Sequence, residues 1–188
     1  IHWLAPASAN NTEMIAVTRA FAEENNLVTM EDLANYINGG GDFKLICSAS
    51  FAENQMGLLG YEEAYGFKLT NQQLITLSSG NTSEMLKALA TGTNGVNASL
   101  VYGTDGALDE MNLVVLQDPM HIPPVYLPAP VLRGDKLEQY PAIPEILAPA
   151  FEALTLETLQ ELNAKVAYDG RDAASVAEEF LKNEGLLP

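Results

Sequence analysis

Apolar residues along the chain fall into short blocks whose spacing switches between helical and strand-like. Asn10-Asn11-Thr12 offers side chains suited to an N-cap, and the spacing that follows predicts a helix over 13–25. Thr29-Met30-Glu31-Asp32 resembles a capping box with Asp32 in place of the usual glutamate. It predicts a short helix over 31–37 that Gly39-Gly40-Gly41 stops. Residues 43–48 read as a buried strand, 54–65 as a helix ended by Gly66, and 73–77 as a strand. A helix over 82–91 and a strand over 98–102 follow. This alternation implies an α/β fold, a parallel or mixed sheet covered by helices.

The pattern changes after Asp105. Residues 112–117 predict one more strand. Pro119, Pro123, Pro124, Pro128 and Pro130 then impose an extended segment, because proline fixes φ and carries no N–H. Helices are expected over 143–154, over 155–166 behind a Thr155 cap, and over 173–184 behind an Asp172 cap. One or two strands cannot cover three helices. Either the late strand joins the first sheet, or part of a second sheet is missing.

Composition narrows the function class. The chain has 188 residues, with 25 Asp and Glu against 9 Lys and Arg. That balance argues against nucleic acid, which is gripped through cationic contacts to phosphate, and permits a cationic ligand or partner. It is equally the solubility charge of exposed helix faces. No apolar run approaches the roughly 18 residues that a membrane span requires. No basic start followed by an apolar stretch marks a signal peptide at Ile1. The single cysteine, Cys47, excludes an internal disulfide; in Leu45-Ile46-Cys47 it reads as a small core residue. His2 and His121 stand alone, without metal-ligand spacing, so neither metal nor cofactor is expected. Gly39-Gly40-Gly41 lacks the preceding strand and the following Lys-Ser/Thr of a phosphate loop. No nucleophile–histidine–acid set is present, and no enzyme is expected.

Several stretches resemble one family, the quaternary-amine substrate-binding proteins of ABC importers, which have the type II periplasmic-binding-protein fold. Asn10-Asn11-Thr12 and Thr29-Met30-Glu31-Asp32-Leu33 resemble the opening of the family's second lobe, and Tyr65-Gly66 resembles the close of a helix there. Val101-Tyr102-Gly103-Thr104-Asp105-Gly106 is similar to the return into the first lobe. The most specific match is Val114-Val115-Leu116-Gln117-Asp118-Pro119 with Pro123-Pro124-Val125-Tyr126-Leu127-Pro128-Ala129-Pro130-Val131. Leu159-Gln160-Glu161-Leu162-Asn163 and Val176-Ala177-Glu178-Glu179-Phe180-Leu181 fit the tail. The resemblance implies one complete lobe over 3–104 and the C-terminal part of the other over 105–188. Chain crossings are expected near 3–9 and 103–110. Family members are longer, so the N-terminal part of the first lobe is expected to be missing. A second copy of the chain, the missing portion or a repacking is expected to cover the late helices.

The ligand chemistry follows from the resemblance. A quaternary ammonium has no N–H, so aromatic faces hold it through their quadrupole. Tyr126, among prolines, and Tyr102, at a strand end, are the candidates; each also reads as an ordinary packed tyrosine. Asn11 and Thr12 belong to the opening of the second lobe, and Thr104 and Asp105 could donate and accept bonds near the cleft; Thr-Asp-Gly is also a common turn. Two departures from the family pattern stand out. Glu13 stands where the family has an aromatic, and Asn54, in Phe51-Ala52-Glu53-Asn54, stands near the arginine of betaine binders. Losing a cation and gaining a carboxylate would favour a plain cation over a zwitterion. Glu13 equally reads as a first-turn helix acid, and Asn54 as a helix cap.

The resemblance implies an extracytoplasmic or lipoprotein-anchored receptor that delivers a solute such as glycine betaine or choline to an ABC permease. The alternative is a sensor domain using the same pocket. An acidic hydrolase of similar fold, with paired carboxylates, is the third reading.

Overall fold

In a computed structural model that describes residues 1–108 and 110–188, the chain divides into two compact units. One comprises Thr12–Tyr102 and Ala107–Pro124; the other comprises Ile1–Asn11, Gly103–Gly106 and Val125–Pro188. The chain therefore passes from one unit to the other at four peptide bonds, after Asn11, Tyr102, Gly106 and Pro124. The expected crossing near 3–9 is displaced to Asn11–Thr12, and residues 107–124 belong with the strands before them rather than with the C-terminal helices.

The unit around 12–124 is built on a five-stranded mixed sheet. Its strands are β2 (Glu13–Thr18), β3 (Leu45–Ser48), β4 (Leu74–Leu77), β5 (Ala98–Tyr102) and β6 (Leu113–Val115), in the order β4-β3-β5-β2-β6. β3 runs parallel to β4 and β5, whereas β2 is antiparallel to β5 and β6. The late strand thus joins the first sheet as its edge. Helices α1 (Arg19–Asn25), α2 (Met30–Asn38), α3 (Ala49–Ala52), α4 (Leu58–Tyr65) and α5 (Thr82–Thr91) complete the unit. Its core includes Ile15, Val17, Met30, Leu33, Leu45, Phe51, Tyr61, Met85, Leu89 and Leu100, each at most 2 % exposed. Burial of each large side chain stabilises the fold by about 1.5–3 kcal/mol.

Local signals explain most helix ends. The Thr29 hydroxyl accepts from the Asp32 N–H at 3.2 Å while the Asp32 carboxylate accepts from the Thr29 N–H at 2.8 Å, so the capping box forms with aspartate. Gly66 ends α4 at φ +69°, a left-handed conformation that costs glycine nothing. Two expectations fail. Residues 13–18 form a strand, and the helix begins only at Arg19 behind a Thr18 cap. Met14-Ile15-Ala16-Val17 satisfies both spacings, and pairing with β5 on one side and β6 on the other decides for the strand. The helix expected over 54–65 is broken: α3 precedes it, a turn follows, and α4 begins at Leu58.

The other unit holds a two-stranded antiparallel ribbon, β1 (His2–Trp3) with β7 (Val131–Leu132), and helices α6 (Gly134–Gln139), α7 (Ile143–Ala153), α8 (Leu156–Ala167) and α9 (Ala173–Asn183). The proline-rich segment lies along the N-terminal stretch. Leu4 N–H donates to Pro130 O, Ala7 N–H to Pro128 O and Asn11 N–H to Tyr126 O, at 2.8–3.0 Å. Prolines serve here because only their carbonyls are needed. The helices pack thinly. No residue of α7 or α8 is fully buried, and Val176 alone is buried on α9.

Candidate functional site

Within the sheet unit, Glu13 and Tyr102 are direct cross-strand partners at the end where the chain enters β2 and leaves β5. Alternation places Ile15 and its partner Leu100 on the same face as this pair. Glu13 is 8 % exposed although it is a carboxylate. Among the described residues no hydrogen bond or ion pair reaches it. Burial pushes its carboxyl above the ordinary glutamate range. The helix-dipole explanation for Glu13 falls away, because Glu13 begins a strand.

A second carboxylate nearby is fully engaged. Asp118, three residues past β6, accepts from the Tyr65 hydroxyl, from Met120 N–H at 3.2 Å and from Ile122 N–H at 2.6 Å. Tyr61, one helical turn before Tyr65, is 1 % exposed; burial, then the charge of Asp118 and more weakly that of Glu13, holds its phenol far up. Burial likewise pushes the Cys47 thiol on β3 up to about 12, with a smaller push from Glu13. Glu13, Cys47, Tyr61 and Asp118 are therefore electrostatic neighbours. Tyr61 is a residue that the sequence alone did not bring forward, and Tyr65 and Asp118 enter there only as parts of the resembling stretches, not as site residues. Their i, i+4 tyrosine spacing and the Gln-Asp-Pro stop after a strand are the signals that could have found them.

Thr12 donates its hydroxyl to Pro124 O, which joins the first and last residues of this unit. Asn54 is neither at a helix start nor tied to Glu13 or Tyr102. Its side-chain oxygen accepts from Met56 N–H at 2.9 Å in the turn between α3 and α4, and Gly57 occupies the N-cap of α4. The stretch containing Phe51 is a one-turn helix capped by Ser48, with Phe51 fully buried, rather than a loop.

In the other unit the remaining candidates come together. Asn11 accepts from the Thr104 hydroxyl through its side chain and donates its N–H to Tyr126 O at 2.9 Å. Asn10 accepts from Tyr126 N–H at 3.0 Å. The backbone of Tyr126 is thus clamped while its side chain remains 41 % exposed. Gln160 and Asn163, one turn apart on α8, donate to Gly103 O and Thr104 O, both at 2.8 Å, and so hold the segment containing Asp105. Among the described residues no group of three or more His, Cys, Asp or Glu is placed to hold a metal ion, and no helix is long and apolar enough to cross a membrane.

The glycine betaine-binding protein YehZ of Escherichia coli K12 is 47 % identical over 183 residues, which cover 97 % of this chain and 60 % of YehZ. The apo structure of YehZ aligns with a TM-score of 0.72 at 46 % identity, covering 98 % of this chain and 66 % of that one. A glycine betaine/carnitine/choline ABC transporter structure aligns with a TM-score of 0.78 at 26 % identity, covering 97 % and 64 %. The chain thus spans about 60 % of the length of its curated relative. The fold is that of the type II periplasmic-binding proteins, represented in part. Residues 1–183 match the model of the OpuAC family, the substrate-binding domain of ABC-type glycine betaine transport systems, and the chain belongs to that family.

Proposed function

We propose that this chain is the solute-capturing part of an extracytoplasmic receptor that binds a quaternary amine and delivers it to an ABC permease. The observation that carries this reading is the family match from residue 1 to 183, which takes in every candidate contact. The ligands that its relatives are named for, glycine betaine for YehZ and glycine betaine, carnitine or choline for the structural neighbour, support the same ligand chemistry. On the sheet unit the proposed contacts are Tyr102, Glu13, Thr12 and Asn54. Asn11, Thr104, Asp105 and Tyr126 are proposed contacts carried by the other unit. The two tyrosines supply aromatic faces for a cation that has no N–H to donate. The hydrogen-bonded clamp on the Tyr126 backbone supports its role, since a fixed backbone leaves less freedom to lose on binding.

The test is calorimetric titration of the intact receptor polypeptide with choline, glycine betaine and carnitine, repeated with Tyr102→Ala and Tyr126→Ala. At least one of the three should bind, and each variant should weaken it by about tenfold or more, as expected for a lost cation–π contact of about 1–2 kcal/mol. Absence of binding by all three would overturn the reading.

A further inference from the structure

The two carboxylates at the Tyr102 end of the sheet are treated differently by the fold. Asp118 has its acceptors filled by a phenol and two backbone N–H groups. Glu13 is 8 % exposed, and among the described residues no donor reaches it. Burial disfavours the charged form of such a carboxyl, so a cation placed beside it would favour its ionisation. The flanking groups supply none. Tyr102 faces it from β5, Cys47 bears on it from β3, Tyr61 from α4, and Asp118 lies beyond β6. The phenol of Tyr61 and the thiol of Cys47 are both held protonated far above neutrality. Asp118 supplies no positive charge. The neighbourhood therefore contains aromatic rings, acids and no basic residue among those named. Such a site suits a cation, which aromatic rings hold without a hydrogen-bond donor.

On the reading that the ligand is a quaternary amine, we propose that Glu13 is the counter-charge that selects ligands of net positive charge over zwitterions, and that it takes up the cation by losing its own proton. The exchange balances: the protonated Glu13 carboxyl gives one proton to solvent, and the carboxylate that remains pairs with the ammonium. No bond to the ligand forms. A zwitterion brings a second carboxylate near Glu13 and its tyrosine partner, and so gains less from the ionised form.

The sign is fixed by linkage. The cation favours ionised Glu13, so the bound state holds fewer protons than the free state wherever free Glu13 is protonated. Affinity for a cation therefore rises with pH between the Glu13 value in the complex and the raised value in the free receptor. The limiting slope is about tenfold per pH unit. Glycine betaine should show a flatter profile.

The experiment is calorimetry of the intact receptor with choline and with glycine betaine across pH 5 to 8, in two buffers of different ionisation enthalpy. Choline binding is expected to release up to one proton in the acidic part of the range, and Glu13→Gln should abolish both the release and the preference for choline. A second readout needs no variant: the ¹³C resonance of the Glu13 carboxyl should move to its ionised position on choline addition at a pH where it is protonated in the free receptor. Choline binding without proton release, with a static Glu13 resonance, would overturn the inference and leave the quaternary-amine reading standing. Failure of both ligands at every pH would overturn the reading itself, and the inference with it.

Discussion

The Tyr65 hydroxyl donates to the carboxylate of Asp118, 53 residues away in sequence, and the same hydroxyl accepts from Met120 N–H at 3.1 Å. One phenol therefore ties the end of α4 to the segment that leads from β6 to the proline-rich stretch. Asp118 is the more heavily engaged partner, since two backbone N–H groups also depend on it. Asp118→Ala should destabilise the sheet unit by about 3 kcal/mol, and Tyr65→Phe by about 1.5 kcal/mol, because orphaned donors cost more than one lost hydroxyl. Urea unfolding checks the order. Equal effects below about 0.5 kcal/mol would show that the network contributes nothing.

The same network sets an alkaline limit. Burial, then the bond to Asp118, pushes the Tyr65 phenol up to about 12. Its folded value lies above the unfolded value of 10.0, so its contribution is complete below pH 10 and is lost as pH rises towards 12. Absorbance at 295 nm should show that one phenolate band, absent in Tyr65→Phe, appears only near pH 12. Its appearance near pH 10 in the folded protein would contradict the bond.

The capping box at Thr29 and Asp32 makes an acid-side prediction. Hydrogen bonds from the Thr29 N–H and hydroxyl and from the Val28 N–H hold the Asp32 carboxyl below its ordinary value of 3.8. A depressed value stabilises the fold above 3.8 and ceases to do so as pH falls through the folded value. Thr29→Ala should cost about 1 kcal/mol at pH 7, as a lost N-cap does. The difference between wild type and Asp32→Ala should shrink as pH is lowered below 3.8. A difference independent of pH down to 2 would mean that the carboxylate form is not what the cap uses.

These cases show where the fold was legible in the sequence. The capping box, the strand at 98–102 and the helix at 82–91 follow from side chains acting on their own neighbourhood, and each appears within a residue or two of its expected bounds. Residues 13–18 were misread because the deciding interactions are with β5 and β6, far along the chain. Whether the late strand joins the first sheet stayed open for the same reason. Leu113–Val115 follows a composition change but pairs back onto β2. The resemblance named Glu13 and Tyr102 separately, and only the register made them partners. The helix-cap reading of Asn54 failed because the helix breaks between α3 and α4, so its side chain closes the turn at Met56 instead.

Two glycines test packing against propensity. Gly60 lies inside α4, where alanine would ordinarily be favoured by about 1 kcal/mol. A Cβ there would meet Gln55 O at 2.2 Å and Ile122 Cγ2 at 2.7 Å. At Gly106 a Cβ would meet Gln160 O at 2.2 Å and Ala164 N at 2.3 Å, both backbone atoms of α8. Backbone cannot swing aside as a side chain does, so both alanine variants should lose about 1–3 kcal/mol. Gly106→Ala should also loosen the bonds from Gln160 and Asn163 to the 103–104 carbonyls, seen as faster amide exchange in residues 103–106. A stabilised Gly60→Ala would show that α4 can shift from Gln55 at no cost.

Cys47 supplies the last prediction. It lies in the middle of β3, is 0 % exposed, and pairs with Thr76 across the sheet. Thiol reagents attack the thiolate, and a group pushed up to about 12 is almost wholly protonated at pH 8. Burial and protonation act together, so the native protein should react with an aromatic disulfide reagent at least about 100-fold more slowly than the protein in urea. The residual rate should track the opening of the sheet, falling in conditions that stabilise the unit and rising in Asp118→Ala, which weakens it. A native rate close to that of the unfolded chain, or one that ignores Asp118→Ala, would place Cys47 outside the core that the other strands define.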